Sequence, residues 1–222
     1  ILKENNFNAV RTCHYPDDTR WYSLCDRYGL YLVAEANLES HGMGYDETTL
    51  AKNPAFAQAH LERNIRNVRR NINHPSVIVW SLGNEAGDGP NFSACYDWVK
   101  AYDPSRPVHY ERAVYNNGGR NTDIVCPMYW NYEQCEKYLR DNPRKPLIQC
   151  EYAHAMGNSL GGFGEYWELI RKYPHYQGGF IWDFVDQGLR KTGKNGAMIY
   201  GYGGDWNPYD ASDWNFCDNG LI

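Results

Sequence analysis

The sequence predicts an α/β fold of successive parallel strand–helix units, a (β/α)8 barrel with one strand missing. Three observations carry this. Seven short apolar runs, at 8–12, 30–34, 77–82, 108–110, 124–128, 147–150 and 179–182, alternate with amphipathic segments of helical period. The runs are dense in β-formers at successive positions, as strands covered on both faces require. The polar residues able to do chemistry fall just after the C-terminal ends of those runs, where a parallel barrel carries its active site. An open doubly wound sheet is the alternative. Its usual mark, a Gly-x-Gly-x-x-Gly turn after the first strand, is absent.

The elements follow in order. Run 8–12 precedes a helical face of Trp21, Leu24, Cys25 and Tyr28 that Gly29 ends. After run 30–34, Asn53 and Pro54 supply an N-cap and a favourable first helical position. Leu61, Ile65, Val68 and Ile72 then recur at helical spacing and predict one apolar face. His74, before Pro75 at the turn into run 77–82, reads as structural. Phe92, Cys95, Val99 and Tyr102 mark a further helix, closed by Asp103-Pro104, and Phe163, Trp167 and Ile170 mark another. Residues 188–222 are rich in Gly, Asn, Asp and aromatics and read as a long loop after the last strand. No internal repeat or low-complexity tract interrupts the chain.

Bulk properties narrow the function. The 222 residues suffice for one large domain, and 42% hydrophobic content supplies its core. A formal charge of −5 without a long basic run argues against nucleic acid as the main partner. No apolar stretch approaches a membrane span. Aromatics are frequent, with 19 Tyr, 8 Trp and 7 Phe, which suits either a wide barrel core or a sugar site. Seven cysteines without a Cys-x-x-Cys pair favour free thiols and, with them, a reducing, cytoplasmic setting. The chain starts at Ile without an initiator Met, so the absence of a signal peptide carries no information about export.

Two glutamates stand out. Glu85 follows the run Ser76-Val77-Ile78-Val79-Trp80-Ser81-Leu82 by way of Gly83-Asn84, and Glu151 follows Pro146-Leu147-Ile148-Gln149-Cys150. A carboxylate at the end of a buried strand is costly to desolvate unless something uses it. Two of them facing one pocket are what glycoside hydrolysis needs, an acid/base and a nucleophile flanking the glycosidic bond. Taken singly, either is an ordinary strand-end carboxylate. Their neighbours change the balance, because Asn84 precedes the first and the string Glu151-Tyr152-Ala153-His154-Ala155-Met156-Gly157-Asn158-Ser159 opens on the second.

These strings resemble the catalytic TIM barrel of glycoside hydrolase family two, closest to its large bacterial β-galactosidase branch. The same resemblance is carried by Asn6-Phe7-Asn8-Ala9-Val10-Arg11 with His14-Tyr15-Pro16, by Glu35-Ala36-Asn37-Leu38-Glu39-Ser40-His41-Gly42 and by Asn73-His74-Pro75-Ser76-Val77. It continues through Asp103-Pro104-Ser105-Arg106-Pro107, Cys126-Pro127-Met128-Tyr129, Gly178-Gly179-Phe180-Ile181-Trp182-Asp183 and Phe216-Cys217 with Asn219-Gly220-Leu221. The matches span nearly the whole chain in family order.

The resemblance implies roles. Glu85 is the expected acid/base and Glu151 the expected nucleophile of a retaining hydrolysis of β-galactosides such as lactose. Asn84 would bind the sugar 2-hydroxyl, Tyr129 would hydrogen-bond the nucleophile, and His14 and His154 would bind sugar hydroxyls. Trp182 would lie under the galactose ring. Glu39, His41 and Glu85 would hold Mg²⁺, although His is an uncommon ligand for that ion. The Phe216 carbonyl and Asn219, itself also a substrate-side residue, would belong to a Na⁺ site. Glu35 and Asp183 are expected to play supporting roles.

The resemblance also implies that the second to eighth barrel strands are present and the first is missing. Residues 1–222 would then be one catalytic barrel domain, truncated at both ends relative to the family, from a parent expected to be a homo-oligomer. Two alternatives stay open: another family-two activity, β-glucuronidase or β-mannosidase, and an inactive carbohydrate-binding barrel fragment. The Asn-x-Lys motif of the family's glucuronidases occurs nowhere in the chain.

Overall fold

The computed structural model describes residues 1–115, 119–207, 209 and 214–222. Four strands, β1 (Ala9–Arg11), β2 (Tyr31–Glu35), β3 (Val77–Ser81) and β4 (Val108–His109), form one parallel sheet in chain order. Helices α1 (Thr19–Tyr28), α2 (Ala57–Asn71) and α3 (Pro90–Tyr102) connect them. After α4 (Tyr132–Arg140), strands β5 (Leu147–Tyr152) and β6 (Tyr176–Ile181) pair in parallel around α5 (Phe163–Lys172). Six of the seven expected runs are therefore strands.

The seventh, 124–128, occupies its expected place between β4 and β5 but forms only bridges, Val125 to Leu147 and Met128 to Glu151. The reason is local. Pro127 has no amide to donate, and the Thr122 hydroxyl donates to the Ile124 carbonyl at 2.7 Å, taking up an acceptor a ladder would use. Through this segment the strands run from β1 round to β6. No ladder joins β1 to β6 among the described residues. Between those two strands lies a groove of about 350 Å³ lined by Leu2, Phe7, Val10, Phe163, Trp167 and Phe180, among others. The sheet is thus barrel-like and not closed.

Alternation along the strands sorts the core. Leu32, Ala34, Trp80 and Leu82 face the helices with Tyr22, Val68 and Val99, while Val33 and Val79 face inward with Ile124, Cys126 and Cys150. The inward set at the C-terminal ends is polar: Arg11, Glu35, Ser81 and His109 sit on four adjacent strands, and all four are buried.

Three sequence expectations change. On α2 the apolar row Leu61, Ile65, Val68 and Ile72 does not form the inner face; Val68 is buried with His60, Asn64, Asn67 and Asn71. The asparagines win because they satisfy strand carbonyls: Asn64 donates to Leu82 at 3.3 Å and Asn67 to Ala34 at 3.0 Å. Helix α4 is unanticipated; an Asn131/Gln134 capping box starts it, and Cys135 and Leu139 join Leu147 and Tyr176 in a small core. The expected loop 188–222 contains an antiparallel hairpin of β7 (Leu189–Thr192) and β8 (Met198–Gly201). Its turn at 193–196 uses Gly196 at φ 80°, and its strands are too exposed to show a burial pattern. His74 is structural as expected, its Nδ1 2.6 Å from Asp26 Oδ2.

Candidate active site

The carboxylates stand at strand ends because the chain turns sharply there. Beyond β3, Gly83 has φ 148°, and a Cβ on it would lie 2.6 Å from the Leu38 carbonyl oxygen. That close approach lets the Asn84 amide donate to Leu38 at 2.8 Å and brings Asn84 beside Glu39. Glu85 follows with a left-handed φ of 36°. Tyr129 (φ 52°) and Ala153 (φ 48°) share that conformation, so three non-glycine residues at or beside the site sit where L-residues are uncommon.

Arg11 is the hub. Its Nε donates to Glu35 Oε2 at 2.7 Å, and one Nη donates to Glu151 Oε1 at 2.9 Å and to the Cys150 carbonyl at 3.1 Å. The other Nη donates to Glu35 Oε1 at 3.0 Å and to Asn84 Oδ1 at 2.8 Å. Burial would raise the Glu35 carboxyl, but the Arg11 guanidinium and His14 override it and hold it down at about 2. Ser81 adds a hydroxyl donated to Glu35 at 2.6 Å. Asp183 is half-buried, with Oδ2 accepting from Gln187 at 3.1 Å and Oδ1 without a partner.

Glu151 is buried and held from two sides. Besides Arg11, the Tyr129 hydroxyl donates to its Oε2 at 2.6 Å. Burial, then the neighbouring Glu151 charge, pushes the Tyr129 phenol up, so it stays a donor. His14 Nε2 lies 3.8 Å from Glu151 Oε1, its Nδ1 lies 2.9 Å from Glu35 Oε1, and its ring stacks on Trp182 at 4.9 Å between centroids. His154 stacks on Tyr129 at 5.4 Å, and its Nε2 is 2.7 Å from Asn219 Oδ1.

Glu85 has its own set of partners. Its amide donates to Glu111 Oε1 at 2.9 Å, and its Oε1 accepts from Tyr45 at 2.8 Å and Arg112 at 3.0 Å. Burial, against the pull of Arg112, pushes the Glu111 carboxyl up to about 8. His41 Nδ1 lies 3.3 Å from Glu85 Oε2. One ligand atom each from Glu39, His41 and Glu85 lie within 4.8 Å of one another. Two carboxylates and an imidazole so close fit a divalent cation. The proposed Na⁺ pair does not present two oxygens together, because Asn219 turns its amide N–H to the Phe216 carbonyl and its oxygen to His154.

The structure therefore gathers Glu85, Glu151, Asn84, Tyr129, His14, Trp182, His154, Asn219, Glu39 and His41 at the C-terminal ends of the strands or in the loops that follow them. Sequence reading gave no role to Arg11, Tyr45, Glu111 or Arg112. Arg11 carried a usable signal, a charge at the end of an apolar run, the argument that picks out the glutamates. Tyr45, in a loop, and Arg112, in the short 3-10 turn Glu111–Tyr115, carried none.

A parallel barrel-like sheet that holds two carboxylates at its C-terminal end fits the site of a glycoside hydrolase. The chain belongs to the glycosyl hydrolases family 2, TIM barrel domain, which matches residues 1–222. It is 52% identical over 237 residues to a β-galactosidase of Vibrio cholerae and 50% identical over 237 residues to one of Alteromonas mediterranea. Each comparison covers 100% of this chain and 22% of the relative, so the chain spans about a fifth of these proteins. Solved structures of a β-glucuronidase from Ruminococcus gnavus share the fold, one with a TM-score of 0.69 at 21% identity over 83% of this chain and 38% of that one. Among the described residues no helix is long and apolar enough to cross a membrane.

Proposed function

We propose that these residues are the catalytic segment of a longer β-galactosidase that releases terminal β-D-galactose, as from lactose, with retention of configuration. The observation that carries the reading is a pair of strand-end carboxylates, each held by an arginine and a tyrosine, one buried and one partly exposed. Arg11 and Tyr129 hold Glu151 by both oxygens, as an ionised nucleophile aimed at an anomeric carbon needs. Glu85 lies beyond Asn84 in the same strand-end cluster and is more exposed, as a group that meets the leaving oxygen needs. Identity near 50% to proteins named β-galactosidase favours that sugar over glucuronide.

Glu151 attacks the anomeric carbon and the glycosidic C–O bond breaks as Glu85 gives its proton to the departing oxygen. Glu85 then takes a proton from water, and that water displaces Glu151 to release galactose. Asn84, held by Arg11 and Glu39, would bind the 2-hydroxyl. Glu39, His41 and Glu85 would hold Mg²⁺, which when bound adds positive charge beside the acid/base. The gap between β1 and β6 is read as the place of a further barrel strand, the first, outside these residues.

Trapping tests the assignment. The full-length polypeptide carrying this segment, treated with a 2-deoxy-2-fluoro-β-galactoside bearing a good leaving group, should gain one fluorogalactosyl mass on the peptide that contains Glu151. A label on another residue, or none while turnover continues, would overturn it.

A further inference from the structure

We propose that Arg112, seated on Tyr45, is a positioning residue for the acid/base Glu85; this rests on the role given to Glu85 above. The Arg112 guanidinium carbon lies 3.5 Å from the centroid of the Tyr45 ring, close contact for a cation over an aromatic face. The same Tyr45 ring stacks with the His41 imidazole at 5.6 Å and 21°. All three stacked groups turn a polar edge to one carboxylate. Tyr45 Oη is 2.8 Å and Arg112 Nη 3.0 Å from Glu85 Oε1, and His41 Nδ1 is 3.3 Å from Oε2.

His41 and Tyr45 come from the segment after β2 and Arg112 from the short helical turn after β4, so none restrains Glu85 through the chain itself. Behind Arg112, Glu111 Oε1 lies 3.2 Å from its Nε as a charge contact without hydrogen-bond geometry, and accepts the Glu85 amide at 2.9 Å. Backbone and carboxyl of Glu85 are therefore held by neighbouring residues of one turn. A planar guanidinium can lie flat on a ring and donate in its own plane at the same time; an ammonium cannot. Without Arg112, Tyr45 loses the cation on its face and Glu85 Oε1 loses a charged donor, so the carboxyl gains freedom to turn away from the leaving oxygen.

The test compares Arg112→Ala, Arg112→Lys, Tyr45→Phe and Glu85→Gln in the full-length polypeptide, with lactose and with 2,4-dinitrophenyl β-galactoside. A misplaced acid should lower kcat on lactose by about a hundredfold in Arg112→Ala, leaving KM and the activated substrate little changed. Arg112→Lys should fail to restore lactose turnover. Tyr45→Phe, which removes only a hydroxyl, should show the same substrate bias more weakly and keeps the test open should Arg112→Ala not fold. Equal loss on both substrates, or full recovery in Arg112→Lys, overturns the positioning role. If Glu85→Gln itself shows no bias between the substrates, the acid/base assignment fails instead.

Discussion

Arg11 donates to Glu151 at 2.9 Å and in the same plane grips both oxygens of Glu35. One guanidinium thereby ties β1 to the end of β5 across a sheet that no ladder closes among the described residues, and orders two buried carboxylates at once.

Replacing Arg11 with Met should leave Glu35 and Glu151 buried without their cation, at a cost of about 3–5 kcal/mol. Hydrogen exchange in peptides spanning β1, β2 and β5 should rise accordingly, and turnover should vanish. Arg11→Lys keeps the charge but not the fork, and should regain protection more than activity. Unchanged exchange in the Met variant would show that the hub is not holding the strands.

Glu151→Gln should nearly abolish turnover of every galactoside in the full-length polypeptide, since no nucleophile remains. Glu85→Gln should slow lactose by about 10²–10⁴-fold and spare activated aryl galactosides. Steady-state rates on both substrates decide this, and near-normal lactose hydrolysis by either variant would sink the assignment.

Asp103 supplies a pH-dependent contribution to stability away from the site. It accepts from the Trp80 indole at 2.8 Å and from Arg106 at 2.9 Å. Burial would raise its carboxyl, but Ser105, Trp80 and Arg106 hold it at about 2, below the ordinary 3.8. A carboxyl lowered on folding stabilises in full above its unfolded value and loses that contribution as pH falls toward its folded one. Exchange protection of the β3–α3 region should therefore drop between about pH 4 and 2, and more shallowly in Asp103→Asn. Parallel pH curves for the two proteins would refute the contribution.

The isolated 222-residue chain should be poorly stable and inactive. Among the described residues, strands β1 and β6 each pair on one side only, with an apolar groove between them, and such edges invite association with other chains. Gel filtration, thermal unfolding and aryl-galactosidase assay of the segment alone check this. A cooperatively melting, active monomer would show the gap to be harmless.

Much was legible because it is local. A run of β-formers followed at once by Asn84-Glu85, or ending in Glu151, carries both the strand and its terminal carboxylate in a few residues. Glu39 and His41 were legible by resemblance, and they do lie beside Glu85. The asparagine face of α2 was hidden, because apolar periodicity points to Leu61 and Ile65 and only the sheet shows which carbonyls need a donor. Segment 124–128 has the composition of a strand, but Pro127 and the Thr122 hydroxyl limit its pairing.

By itself the sequence determined strands β1 to β6, the helices with an apolar period between them, and the two carboxylates at strand ends. Hydrophobic period and residue type are properties of neighbours along the chain, and those features depend on nothing else. Tertiary structure alone decided what surrounds each carboxylate. Arg11 reaches Glu151 across 140 positions, and Tyr45 and Arg112 reach Glu85 across 40 and 27. Such contacts depend on the register of separate strands and the path of loops between them, and on which buried charge is left needing a partner. Only the folded sheet settles those.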